Sequence, residues 1–127
     1  MEIIIDFDGT CVIHRYPETG PDIKGSVEVL KELVANGHKL ILFTMRSNKN
    51  GTLNEAISWF RDRGIDLYGI QTNPQQKTWT TSPKAYGQLI IDDICLGIPL
   101  IYNQAISDRN FVDWQGVREL LQQRGII

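Results

Sequence analysis

The chain has 127 residues, with 15 acidic and 13 basic side chains for a formal net charge of -2, and it is 42% apolar and 22% charged. That length fits one domain spanning residues 1–127, and the composition excludes a largely disordered chain. The near-neutral balance argues against a nucleic-acid partner, and no stretch approaches the ~20 consecutive apolar residues of a membrane span.

Residues 1–6 lack the basic and apolar segments of a signal peptide, and Cys11 and Cys95 form neither a disulfide framework nor a metal-type spacing. A reduced, cytoplasmic protein is therefore expected. In chain order, the β-branched run at residues 3–5 reads as a strand buried on both faces, stopping at Asp6-Phe7-Asp8-Gly9. Residues 14–25 are rich in turn formers and too irregular for an element. A helix follows with Ser26 as N-cap; Val27, Leu30 and Val34 form its stripe, Val29 and Leu33 widen it, and Gly37 ends it. Residues 39–43 read as a second buried strand that halts at Thr44. A second helix begins at Thr52 in a capping box with Glu55, shares a face among Leu53, Ala56, Ile57 and Phe60, and closes at Gly64. Residues 68–71 make a weaker strand, 73–83 a polar loop, 89–91 a buried strand halted by Asp92-Asp93, and 99–102 one more short strand. The last helix starts near Asp113 and buries Val117, Leu120 and Leu121.

Strands alternating with helical segments imply βαβ units: a single Rossmann-like α/β domain whose central parallel sheet is flanked by helices and covered on both faces. Ligands of such sheets bind beyond the carboxyl ends of the strands. Asp6 and Asp8, Thr44, and Asp92 with Asp93 all fall there, and Lys84 lies in the loop before the Asp92 strand. Four converging carboxylates repel one another unless a cation sits among them. Hard oxygen donors of this kind suit Mg²⁺, which is commonly held by carboxylates together with a phosphate. Thr44 offers a hydroxyl and Lys84 a point charge, while Gly9 allows main-chain N–H groups a close approach to a phosphoryl group. An Asp can attack phosphorus, and a second Asp two residues on can move the proton. The residues point to metal-assisted phosphoryl transfer.

Asp6-Phe7-Asp8-Gly9-Thr10 after a buried strand resembles motif I of the haloacid dehalogenase superfamily. Leu42-Phe43-Thr44 resembles its motif II, Lys84 its motif III and Ile91-Asp92-Asp93 its motif IV, in the right order from Ile3 to Asp93. The resemblance implies a Mg²⁺-dependent phosphomonoester hydrolase. Asp6 is then nucleophile and metal ligand, and Asp8 is general acid/base with its carbonyl on the metal. Thr44 and Lys84 hold the phosphoryl oxygens, and Asp92 and Asp93 complete the metal site. The intervals between motifs leave no room for a cap domain. An open site of this kind admits large substrates or needs a flap or partner chain to exclude water; a small phosphorylated substrate is expected, with a second copy of the chain able to cover the site.

Arg46 and His14 are candidate substrate contacts, although exposed loop charge accounts for them, and for Arg15, more simply. Lys77 rivals Lys84 within the same polar region. Trp59 is expected at the rim of its helix, Trp79 on a loop as a platform or interface residue, and Trp114 in helix packing. Cys11 reads as a packed bystander. Two other classes share parts of the pattern. A phosphoacceptor receiver module has the same acidic pocket, but its groups come in a different order along the chain. A catalytically silent binding protein on the same fold is the third reading.

Overall fold

Isoleucines 3–5 form the centre of the molecule because β-branched side chains favour extended backbone and this run offers both sheet faces something apolar to bury. In the structure, a computed structural model describing residues 1–127, they lie in β1 (Glu2–Ile5). Three further strands, β2 (Lys39–Leu42), β3 (Leu67–Ile70) and β4 (Leu89–Ile91), join it in one sheet of order β3-β2-β1-β4. All the pairings are parallel, with Ile5 opposite Leu42 on one side and Ile91 on the other. The domain is α/β and carries no cap.

The three helices are α1 (Ser26–Ala35), α2 (Thr52–Asp62) and α3 (Trp114–Gln123). All of them pack on one face of the sheet. Ile3, Ile5, Leu40, Leu42 and Ile91 meet Leu30 and Leu33 of α1, Trp59 and Phe60 of α2, and Val117 and Leu121 of α3 in a single core. The handedness of crossovers explains this. The steps from β1 to β2 to β3 run in one direction, so right-handed connections place α1 and α2 on the same side. The return from β3 past β1 to β4 runs the other way and must cross on the opposite face.

That crossing, residues 71–88, is not helical, in keeping with the polar loop expected over 73–83. It holds one turn of 3-10 helix, Gln76–Thr78, and covers Ile4 and Ile41 with Ala85. Side-chain amides replace the missing helical hydrogen bonds. Buried Gln76 donates to the Ser82 and Lys84 carbonyls and accepts from the Tyr86 N–H, and buried Asn73 donates to the Tyr86 carbonyl.

Other local expectations change as well. Gly25 and Gly51, at φ 89° and 79°, cap α1 and α2. Ser26 instead donates to the Cys11 carbonyl, and Thr52 closes a turn with Asn50 and Ser47, so no Thr52–Glu55 box forms. The short strand after residue 99 is β5 (Leu100–Ile101). It pairs antiparallel with β6 (Phe111–Val112), outside the main sheet. Trp59 is 3% exposed rather than at a rim, with its ring edge-on to Phe7 and Phe60. Trp114 is buried as expected. Leu120 is not: it remains 45% exposed, while Leu121 lies in the core.

Truncating these neighbours separates the two environments. Leu121→Ala should cost roughly 2–5 kcal/mol in urea unfolding, whereas Leu120→Ala should stay within about 0.5 kcal/mol. Equal losses would contradict the packing of α3 described above.

Candidate active site

The direction of strand order reverses between β1 and β4, and the crevice beyond their carboxyl ends is where such sheets bind ligands. Asp6 follows β1 and donates its N–H to the Ile91 carbonyl at 3.1 Å, extending the ladder by one residue. Phe7 points into the core, so the alternation of extended backbone turns Asp6 and Asp8 away from it. Asp92 and Asp93 follow β4, and the Ile94 N–H closes a turn on Asp92 Oδ1 at 3.0 Å.

The register of β1 against β4 therefore brings carboxylates from opposite parts of the chain together. One oxygen each from Asp6, Asp92 and Asp93 lie within 4.8 Å of one another. No lysine or arginine pairs with any of the three. Burial pushes the Asp6 carboxyl up from 3.8 to about 8, and the charge of Asp92 and the contact with Asp93 add to the rise. The Thr10 hydroxyl and the Phe7 N–H oppose it. Asp92 is also raised, first by burial and then by Asp93, against the Ile94 N–H. An all-oxygen, like-charged set of this kind fits a hard divalent cation such as Mg²⁺.

Thr10 ties the cluster together, a role not foreseen from the sequence. Its hydroxyl donates to Asp6 Oδ2 at 2.9 Å and accepts from the Asp93 N–H at 3.1 Å. The turn that carries it is held from the far end of the chain, where Trp114 Nε1 donates to the Thr10 carbonyl and the Val112 N–H to the Gly9 carbonyl. Gly9 has φ 81°, and a Cβ there would stand 2.6 Å from Asp93 Oδ2. The close approach that this glycine permits is thus used by Asp93. The Gly9 N–H donates to the Val12 carbonyl at 2.8 Å, so of the N–H groups in this turn it is that of Asp8 that has no partner in the protein.

Asp8 stands apart from the acidic trio. Both of its oxygens accept from Arg46, at 2.7 Å from Nε and 2.8 Å from Nη2. Arg46, expected as exposed loop charge or a substrate contact, is 1% exposed. A guanidinium can be buried only where its donors and charge are met, and Asp8 meets the charge and two of the five N–H donors. Thr44 is half-buried at the end of β2. Its Oγ1 accepts from the Arg46 N–H, and the Gln71 amide bonds its main chain on both sides. Lys84 is exposed and unpaired, with its main chain pinned by Gln76 and Ser82 and its ammonium free. His14 is half-buried without a hydrogen bond, in the arm between Cys11 and Ile23. Cys11 is fully buried and donates to the Asp6 carbonyl; burial pushes its thiol well up, in keeping with a bystander.

Among known proteins, a conserved protein of solved structure from Bacteroides thetaiotaomicron is 35% identical, over 98% of this chain and 91% of its own, with a TM-score of 0.78. No protein-family model and no curated protein matches the chain.

The raised Asp6 carboxyl makes metal-free stability depend on pH. Between about pH 4 and pH 8 the folded protein keeps a proton that the unfolded chain has released. The associated stability is complete in acid and is lost as pH rises through about 8. Asp6→Asn removes that loss, which amounts to about 1.4 kcal/mol for each step of one pH unit inside this window. In urea unfolding with EDTA, the variant should gain on wild type from pH 5 to pH 8. Parallel pH profiles would rule out the crowding of Asp6.

Proposed function

This chain belongs to the same family as the conserved Bacteroides thetaiotaomicron protein, and we propose that it is a Mg²⁺-dependent phosphomonoester hydrolase of the haloacid dehalogenase kind, acting through an aspartyl-phosphate on Asp6. One observation carries the reading. Asp6 shares a crevice with Asp92 and Asp93 and no protein cation, while the carboxylate two residues on is held separately by an arginine.

Asp6, Asp92 and Asp93 would hold Mg²⁺, which when bound offsets their charge and that of the phosphoryl group. In the first step an Asp6 oxygen attacks phosphorus, and the bond from phosphorus to the leaving oxygen breaks. The departing oxygen takes the electron pair and receives a proton from the Asp8 carboxyl, which first takes that proton from solvent and releases one of its two bonds to Arg46. In the second step Asp8, now a carboxylate, takes a proton from water as the water oxygen attacks phosphorus. Inorganic phosphate leaves and the Asp6 carboxylate is restored.

Thr44 and the free Asp8 N–H lie at the ends of β2 and β1, where they suit the non-bridging oxygens. Lys84, with its ammonium unpaired, would add positive charge as negative charge develops. We take the substrate to be a small phosphorylated molecule; with no cap, a second copy of the chain would be a means of excluding water.

Hydrolysis of an aryl phosphate by wild type should require Mg²⁺ and stop with EDTA. Asp6→Asn should lower kcat by at least about a thousand-fold, and Asp8→Asn by about a hundred-fold or more. Wild type should also bind beryllofluoride in the presence of Mg²⁺, and Asp6→Asn should not. Full activity in Asp6→Asn would overturn the mechanism, and a wild type with neither turnover nor a fluoride complex would overturn the function.

A further inference from the structure

Arg46 has no spare donor. Beyond its two bonds to Asp8, Nη2 donates to the Glu18 carbonyl at 2.9 Å, and Nη1 donates to the Thr52 carbonyl at 3.3 Å and to Glu55 Oε2 at 3.4 Å. The guanidinium carbon lies 5.0 Å from the centre of the Phe7 ring and 5.4 Å from that of Tyr16. Five N–H groups thus reach three separate parts of the chain: the turn after β1, the loop through Tyr16 and Glu18, and the first turn of α2.

That loop is held at its base as well. The Ile13 N–H donates to the Pro21 carbonyl and the Ile23 N–H to the Cys11 carbonyl, closing a narrow arm. Asp22 accepts from Trp59 Nε1 at 2.7 Å and from Arg63 at 2.8 and 2.9 Å, fixing the arm to α2. At the tip, Arg46 supplies the side-chain contact to Glu18. Asp8, for its part, has no side-chain partner other than Arg46.

We propose that Arg46 is a positioning residue that sets the plane of the Asp8 carboxyl and couples it to the Tyr16–Glu18 loop. The proposal rests on the phosphatase reading given above. A planar fork fixes both oxygens at once, which a lysine cannot do. When Asp8 hands a proton to the leaving oxygen, the oxygen that carries the proton must give up its bond to Arg46. The other bond then keeps the carboxyl plane in place. Because the same guanidinium holds the Glu18 carbonyl, displacement of Asp8 and of the loop are linked.

Loss of a positioned general acid is felt most by substrates whose leaving oxygen is a poor one. The test compares wild type, Arg46→Lys and Arg46→Gln on phenyl phosphates ranging from the 4-nitro to the unsubstituted ester. In both variants kcat/KM should fall, and the ratio of the 4-nitro ester to the unsubstituted one should rise by about ten-fold or more. A ratio is independent of how much of a variant is folded, so a partly unfolded preparation still reads correctly. Limited proteolysis should cut the loop at residues 15–19 faster in both variants than in wild type.

Equal losses across the ester series would overturn the positioning role and leave the hydrolase reading standing, provided that wild type is active and Asp6→Asn is not. Unchanged proteolysis would overturn the coupling to the loop. A wild type inactive on every ester would remove the reaction and the proposal with it.

Discussion

Like charges forced together at the edge of a parallel sheet are the constraint around which this protein is organised. Asp6 and Asp92 leave neighbouring strands whose last residues, Ile5 and Ile91, are paired in register, so the sheet that stabilises the core also sets the acidic groups side by side. The chain treats its carboxylates at this edge in two ways. Asp6 and Asp92 receive the Thr10 hydroxyl and the Phe7 and Ile94 N–H groups, and no basic side chain reaches them or Asp93. Asp8 receives a whole guanidinium. The first group carries no compensating charge from the protein, and the second is paired. That division places two carboxylates only two residues apart in different electrostatic surroundings.

The rest of the fold holds this arrangement still. Trp114 and Val112, from the end of the chain, pin the Gly9–Thr10 turn. Phe7, wedged between Trp59 and Phe60, prevents the Asp6–Asp8 segment from rotating. Ion pairing of Arg118 with Glu32 ties α3 to α1, so the C-terminal helix is linked to the layer beneath the site. The rigidity of the site thus comes from contacts distant in sequence, as is usual when loops carry the chemistry and a packed scaffold positions them.

Much of this was legible in the sequence, for a definite reason. Short β-branched runs that end abruptly in Asp signal both a buried strand and a polar group at its end, which located β1, β4 and the trio of carboxylates. The remainder depends on geometry that no local pattern encodes. Arg46 follows Thr44 in a turn with no periodicity, so nothing there distinguishes a buried guanidinium from a solvated one. Trp59 looked peripheral because its helix already had an apolar stripe, whereas its indole N–H found Asp22, far away in sequence. Gly25 and Gly51 displaced Ser26 and Thr52 as caps because each helix is entered through a left-handed residue. The crossing on the second face was legible as a polar loop, but the burial of Asn73 and Gln76 within it was not, since glutamine and asparagine read as loop surface until their amide partners are known.

The exposed edge of β4 has a consequence of its own. It is an outer strand of the sheet, with one side of its main chain unpaired and Ile90 open to solvent. An apolar edge of this kind is where polypeptides recruit one another into extended β-structure. Here the strand is only three residues long and runs straight into Asp92 and Asp93. Two charges at that point act as gatekeepers against edge-to-edge aggregation. The residues that crowd negative charge into the crevice thus also end the pairing edge of β4 in like charges, which disfavours its pairing with a second copy.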